Sequence, residues 1–178
     1  FLNSADILVL TSKYEGLPNV LLEAQFLKKY IISTNCPTGP KEILMNGPFN
    51  CSNHLGKNIV VIAWFPRAFS PGCTMECKSF AEHGYLLEEL GIAYFMASTD
   101  RLNRVVKFAK AMEAEFPILS DSKKEIAKAY SVLFFGIQSK RETHYIGKNG
   151  NIIYIDKNVS PETAAQDIAQ RIVSLQSS

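Results

Sequence analysis

The fold of this chain is decided by residues 59–74, which read Ile59-Val60-Val61-Ile62-Ala63-Trp64-Phe65-Pro66-Arg67-Ala68-Phe69-Ser70-Pro71-Gly72-Cys73-Thr74. The continuous apolar run at the start, rich in β-branched residues, is typical of a buried strand. From Thr74 to Leu90 apolar residues recur mostly at helical spacing. The stretch therefore predicts a strand that delivers Cys73 to the first turn of a helix.

Cys73 is the candidate nucleophile of this stretch. At a helix N-terminus, unpaired backbone N–H groups and the positive end of the helix dipole both favour a thiolate over a thiol. The thiolate is the reactive form of cysteine. The alternative is a buried structural cysteine, because free cysteine is among the most buried residue types.

The residues around Cys73 resemble a family signature. Pro66, Ser70 and Cys73 have the spacing of the P-x-x-x-T/S-x-x-C motif of peroxiredoxins, and residues 69–74 are similar to the F-T-P-G-C-T form of their bacterioferritin-comigratory branch. Four later segments resemble the family in its own order, and the match covers roughly residues 57–175. The first of these segments is Phe95–Asp100. The other three resemble family motifs: Phe116–Asp121 resembles F-P-L-L-S-D, Ile126–Tyr130 resembles A-K-A-Y, and Arg141–Ile146 resembles R-x-T-F-x-I.

The resemblance implies a thiol-dependent peroxidase without a cofactor, regenerated by thioredoxin or a similar dithiol. Cys73 would attack a hydrogen peroxide or alkyl hydroperoxide molecule and become a sulfenic acid. Ser70 would hydrogen-bond to the thiolate and the peroxide, and Pro66 would shield the sulfur from water. Arg141 would hold the thiolate and polarise the O–O bond, since a guanidinium is always charged and presents a fixed fork of donors. Arg67 is expected to face solvent.

Cys77 is the candidate resolving cysteine, four residues after Cys73, whereas relatives with one on this helix place it five residues on. Residues i and i+4 of a helix lie about 6 Å apart at Cα, inside the roughly 4.4–6.8 Å that disulfides accept. The first turn would still have to unwind. The alternative is a small helical residue facing the core, with an external thiol as the reductant.

Periodicity from residue 57 onward predicts alternating strands and helices. The strands cover 58–65, 92–98, 117–119, 143–146 and 152–155, and the helices cover 74–90, 102–114, 122–130 and 161–175. Asp100 is a plausible N-cap for the second helix, and Ser160 with Pro161 opens the last one. Asn149-Gly150 marks a tight hairpin. With the resemblance, this order implies an α/β, thioredoxin-like fold with a mixed central sheet.

The first third of the chain has a different pattern. Strands over 5–12 and 30–34 flank a turn and helix over 14–24, and a C-P-T-G-P loop follows at Cys36–Pro40. This partial Rossmann-like β-α-β fragment resembles the nucleotide-sugar-binding domain of family-4 glycosyltransferases, including an E-x7-E pair at Glu15 and Glu23. The resemblance stops near residue 47, so we expect the two carboxylates to carry no chemistry here.

The chain is thus predicted to have three parts: a glycosyltransferase-like fragment over 1–47, a joint over 48–56, and a thioredoxin-like peroxiredoxin domain over 57–178. The joint is rich in Asn, Gly, Pro and Ser, which favour turns and linkers. Two alternatives to a peroxidase stay open. One is an inactive chimeric or truncated product, and the other is a nucleotide-sugar-dependent glycosyltransferase fragment.

Composition and charge limit the kinds of molecule that the chain is expected to bind. The 178 residues are 47% hydrophobic and 20% charged with a net charge of +2, and no basic stripe carries interleaved aromatics. Nucleic-acid and membrane binding are therefore not expected. The chain begins without a signal peptide, so a cytoplasmic location is the expectation. The expected oligomeric state is a monomer or homodimer. Four cysteines and three histidines are scattered without metal-site spacing. His83 is expected to be solvated on its helix, and His144 to be a packing variant.

Overall fold

The computed structural model describes residues 7–10, 30–33, 54 and 56–176. The chain separates into two compact units, Phe1–Asn50 and Cys51–Ser178. In the first unit, strands β1 (Ile7–Leu10) and β2 (Tyr30–Ser33) pair in parallel. Parallel neighbours need a crossover connection, so this pairing fits the predicted strand–helix–strand order.

Several predictions about the first part of the chain concern residues that the structure does not describe. Glu15, Glu23, the helix over 14–24, the loop Cys36–Pro40 and most of the joint lie outside the described residues.

The second unit contains seven strands and five helices among its described residues. In chain order they are β3 (Val60–Trp64), α1 (Pro71–His83), α2 (Tyr85–Glu89), β4 (Ala93–Ser98), α3 (Leu102–Ala111), β5 (Ile118–Ser120), α4 (Glu125–Ala129), β6 (Leu133–Phe134), β7 (Gln138–Ser139), β8 (Glu142–Ile146), β9 (Ile152–Asp156) and α5 (Ala164–Gln176).

Five of these strands form one mixed sheet in the order β5-β4-β3-β8-β9. Strands β3, β4 and β5 run parallel, whereas β8 is antiparallel to β3 and β9 is antiparallel to β8. The central strand β3 is buried along its whole length, which explains its unbroken apolar run. The predicted α/β, thioredoxin-like fold with a mixed sheet is confirmed.

The main core lies between one face of this sheet and the helices. Val61, Ala63 and Phe65 share a buried cluster with Phe80 of α1 and Ile168 of α5. Burial of each large apolar side chain contributes about 1.5–3 kcal/mol. The core therefore fixes α1 against the end of β3, the junction at which Cys73 lies.

The helix predicted over 74–90 is two helices, α1 and α2, which meet at Gly84. A Cβ atom at Gly84 would lie 2.5 Å from the Phe80 carbonyl oxygen and 2.5 Å from the Tyr94 hydroxyl. The close approach of Tyr94 from β4 thus coincides with the break. Helix α1 also begins earlier than predicted, with Pro71 at its first position.

Two predicted helix caps are wrong. The N-cap of α3 is Arg101, while the Asp100 carboxylate accepts a hydrogen bond from the Ala68 N–H at 2.7 Å instead. Helix α5 begins at Ala164, because Ser160 belongs to a preceding turn, in which its carbonyl accepts from the Thr163 N–H at 3.3 Å. Short-range residue preferences cannot anticipate a side chain that is engaged by a segment far along the chain.

The Asn-Gly hairpin joins β8 to β9. Gly150 adopts a left-handed φ of 82°, and the Asn149 side-chain oxygen accepts a hydrogen bond from the Asn151 N–H at 3.1 Å. The small hairpin β6–β7 was not predicted, because two-residue strands are too short to show alternation. No helix in the described part of the chain is long and apolar enough to span a membrane.

Candidate active site

The sheet anchors the loop that leads to Cys73. Beyond β3, the Phe65 N–H donates to the Ala97 carbonyl at 2.9 Å, and the Phe65 carbonyl accepts from the Ser139 hydroxyl at 2.6 Å. Residues 66–70 then turn the chain into α1. Cys73 is the third helical residue and is a free thiol with no exposed surface.

Arg141 reaches Cys73 from a distant part of the sequence. It directly precedes β8, and its Nη2 donates to Cys73 Sγ at 3.4 Å. The Arg141 side chain is 20% exposed, so the guanidinium stands at the edge of the buried site. A fixed positive charge at this distance stabilises a thiolate. The structure thus brings together the two residues that the sequence motifs singled out most strongly.

Gly72 makes room for this contact. A Cβ atom at position 72 would lie 2.9 Å from Arg141 Nη2, closer than side chains ordinarily approach. The glycine that precedes Cys73 therefore serves a steric purpose, since any larger residue would displace the guanidinium.

Glu76 is a site residue that the sequence reasoning missed. Its carboxylate is fully buried and accepts a hydrogen bond from Arg141 Nη1. Burial raises the pKa of Glu76 to about 7, while the charge and hydrogen bond of Arg141 act to lower it. The available signal was its spacing, since a residue three positions after Cys73 shares its helix face. Burial of an acidic side chain on a helix face costs free energy unless a cationic partner offsets the loss of hydration.

Cys77 lies one helical turn after Cys73 and is also a fully buried free thiol. Burial raises the pKa of Cys77 to about 12, with the negative charges of Glu76 and Cys73 acting in the same direction. In this conformation the Cys77 thiol therefore stays protonated. It belongs to the same apolar core cluster as Phe80.

Ser70 and Pro66 lie in the loop before α1. Ser70 occupies the N-cap position in an extended conformation (φ −78°, ψ 152°), yet its side chain makes no capping hydrogen bond. Its carbonyl accepts from the Thr74 N–H at 2.9 Å. The Ser70 hydroxyl is thus not committed to capping the helix. Pro66 is half-buried, and Arg67 is exposed as predicted.

His144 and His83, for which the sequence made separate predictions, have not been placed in the site around Cys73. His144 is fully buried on β8 and packs edge-on against Tyr130 at a centroid distance of 5.3 Å, as a packing variant would. His83, expected to be solvated, is half-buried near the end of α1. Within residues 56–176, no three His, Cys, Asp or Glu side chains gather in a way that could hold a metal ion.

A thioredoxin-type sheet that presents a helix-N-terminal thiol to an arginine has the arrangement of the thiol-dependent peroxidases. The chain belongs to the AhpC/TSA family, which it matches over residues 40–155. It is similar to chloroplastic peroxiredoxin Q of Sedum lineare, with 28% identity over 131 residues that cover 72% of this chain and 70% of that protein. The crystal structure of PrxQ from Xylella fastidiosa superposes with a TM-score of 0.66 at 20% identity, covering 72% of this chain and 83% of the other.

The first part of the chain is similar to a different family, described as glycosyl transferases group 1, over residues 1–64. An uncharacterised glycosyltransferase of Methanocaldococcus jannaschii is 50% identical over 44 residues, which are 25% of this chain and 11% of that protein. The glycosyltransferase resemblance is therefore confirmed as a similarity of a short segment.

Proposed function

We propose that this chain reduces hydrogen peroxide or alkyl hydroperoxides with Cys73 as the attacking thiolate. The observation that carries the proposal is the hydrogen bond from Arg141 Nη2 to Cys73 Sγ at 3.4 Å at the start of α1. Both the helix N-terminus and the guanidinium favour the thiolate, and both remain able to stabilise the negative oxygen that forms as the O–O bond breaks.

In the first step, the Cys73 thiolate attacks the terminal peroxide oxygen. A new S–O bond forms, the O–O bond breaks, and the departing alkoxide or hydroxide takes up a proton and leaves as alcohol or water. Cys73 becomes a sulfenic acid and the peroxide is reduced. Arg141 orients the peroxide and the thiolate, the uncommitted Ser70 hydroxyl hydrogen-bonds to them, and Pro66 limits access of water.

In the second step, the Cys77 thiol condenses with the sulfenic acid to give a disulfide and water. Thioredoxin or a similar dithiol then reduces that disulfide. Because both sulfurs are fully buried and the Cys77 thiol stays protonated in the closed conformation, this step requires the first turn of α1 to unwind. If Cys77 does not resolve, an external thiol reduces the sulfenic acid directly.

The setting that we propose is the cytoplasm, where dithiol reductants keep thiols reduced. The protein would act there as a monomer or homodimer, without nucleic-acid or membrane partners. The mixed charge of the chain, with a net value of +2, supports the absence of polyanionic partners.

Peroxide consumption coupled to thioredoxin and thioredoxin reductase tests the proposal on the whole chain. We expect turnover by the parent and by Cys51→Ser, a matched cysteine change elsewhere in the chain. Absence of turnover with hydrogen peroxide and with cumene hydroperoxide, in a chain that melts cooperatively, would contradict the proposal. Absence of both turnover and a cooperative melt would instead favour the inactive chimera.

A further inference from the structure

The loop before Cys73 is held by two side chains from the start of α3. The Ala68 N–H donates to Asp100 Oδ2 at 2.7 Å, and Arg104 Nη2 donates to the Ala68 carbonyl at 2.7 Å. Ala68 itself is fully buried. Both backbone polar groups of one loop residue are thus engaged by charged side chains that lie more than thirty residues further along the chain.

The next residue, Phe69, has a backbone conformation that needs such support. Its φ is +65°, in the left-handed region that residues other than glycine rarely adopt. Its ring packs edge-on against Phe108 at 5.3 Å between centroids, with the Arg104 guanidinium 5.7 Å from the ring centre. A strained conformation persists only where surrounding contacts over-determine it. Arg104 contributes to two of those contacts, one to Ala68 and one to Phe69.

The two side chains are anchored on the sheet and not on α1. Arg104 Nε pairs with Asp100 Oδ1 at 3.4 Å, and the Ser98 hydroxyl donates to Asp100 Oδ2 at 3.3 Å. The Asp100 carbonyl accepts from the Ser120 hydroxyl of β5 at 2.7 Å. None of these anchoring contacts involves a residue of α1.

We propose that Asp100 and Arg104 are positioning residues that hold the loop over residues 66–70 in the conformation in which Cys73 meets Arg141. They favour the closed, peroxide-reactive state over the state in which the first turn of α1 is unwound. The inference rests on the proposed peroxidase function. It assigns a role in that site to two residues that touch neither the peroxide nor the sulfur.

Two rates measured on Arg104→Ala test the inference. The first is oxidation of Cys73 by hydrogen peroxide, which needs the closed state; the second is alkylation of Cys73 by iodoacetamide, which needs the buried thiol to open. Both rates are read in a background in which the other three cysteines are serine. We expect the oxidation rate to fall by roughly 10- to 100-fold, since a misplacement of about 1 Å at a reacting group can cost about 10²-fold. The alkylation rate should rise several-fold.

Matched variants separate positioning from general destabilisation. Arg104→Lys keeps a donor for the Ala68 carbonyl, so both of its rates should lie between those of the parent and Arg104→Ala. Arg101→Ala removes the same charge from an exposed position three residues earlier and should leave both rates unchanged. Hydrogen exchange of the Ala68 amide should accelerate in Arg104→Ala and not in Arg101→Ala.

Unchanged rates in a folded Arg104→Ala protein would overturn the inference, as would a fall in both rates. If Arg104→Ala fails to fold, Asp100→Asn replaces it, because the amide oxygen still accepts from the Ala68 N–H while the charge on Arg104 loses its partner. The same opposed changes in the two rates are then expected, and their absence refutes the inference. If the parent does not react with peroxide, the proposed function fails, whereas alkylation and amide exchange still decide whether the loop is held.

Discussion

The buried carboxylate of Glu76 and the guanidinium of Arg141 form an ion pair, and the same guanidinium donates a hydrogen bond to the Cys73 sulfur. Arg141 Nη1 binds Glu76 while Nη2 binds Cys73, so one planar group serves two partners on neighbouring turns of α1. A lysine could not reproduce this geometry, because an ammonium is a point charge without a fork.

Arg141→Lys is therefore expected to slow the reaction of Cys73 with peroxide by about 10²-fold, the order found when one preorganised donor is removed from a reaction centre. The fold should persist, since the positive charge opposite Glu76 is retained. Stopped-flow measurement of the second-order rate constant checks this, with Arg67→Lys as the exposed control. An unchanged rate would place Arg141 outside the reaction.

Cys73→Ser is expected to abolish peroxide reduction, because a serine hydroxyl supplies no nucleophilic anion at neutral pH. The steric change is small, so the melting temperature should stay close to that of the parent. Coupled turnover is the measurement. Turnover by the serine variant at the parental rate would eliminate Cys73 as the attacking residue.

Glu76 should make stability depend on pH. Burial raises the folded pKa of Glu76 to about 7, above its ordinary value of 4.5. Its contribution to the free energy of unfolding is therefore complete below about pH 4.5 and is lost as the pH rises from there through 7. Urea unfolding between pH 4.5 and 8 should show this loss. Glu76→Gln, which keeps an acceptor for Arg141 without a titrating group, should show a smaller dependence. Equal slopes for parent and variant would contradict the prediction.

His144→Phe should stabilise the protein. In the described structure neither ring nitrogen of His144 has a hydrogen-bond partner, and a buried unsatisfied polar group costs about 1–3 kcal/mol. Burial also lowers the pKa of His144, with Glu142 raising it and Lys157 lowering it. Because the folded pKa lies below the unfolded value, folding carries a second cost, that of deprotonating the imidazole; this second cost is absent above about pH 6.5 and grows as the pH falls.

Chemical denaturation at pH 7.5 and pH 5.5 tests the His144 prediction. The stability gained by His144→Phe over the parent should be larger at pH 5.5. A gain that is independent of pH would mean that the His144 charge does not contribute.

Nucleotide-sugar binding by Glu15 and Glu23 is not expected. The similarity to the M. jannaschii glycosyltransferase covers only 11% of that protein, and ligand pockets usually enclose about 70–90% of a small ligand's surface. Calorimetric titration of uridine- and guanosine-diphosphate sugars is the measurement. Saturable micromolar binding that disappears in Glu23→Ala would show that the segment is functional.

Local periodicity was enough to predict the strand that leads into Cys73, a helix after it and the order of the later elements, because each of these depends on residues close together in the chain. Motif spacing also singled out Arg141, which the structure places in contact with Cys73. The sequence places Glu76 on the helix face of Cys73 but does not show that this face is fully buried, so the role of Glu76 was missed. Asp100 was predicted to cap α3 because aspartate is common at helix N-termini, whereas its carboxylate binds the Ala68 N–H.

The partners of the Glu76 and Asp100 carboxylates became visible only in the folded chain. Arg141 and Glu76 are 65 positions apart along the chain, and Asp100 and Ala68 are 32 apart. Such pairs form because the sheet order brings β8 beside β3 and the end of β4 beside the loop that follows β3. Local residue preferences set the elements, but side-chain pairing across the sheet depends on which strands become neighbours, and that is fixed by packing of the whole core.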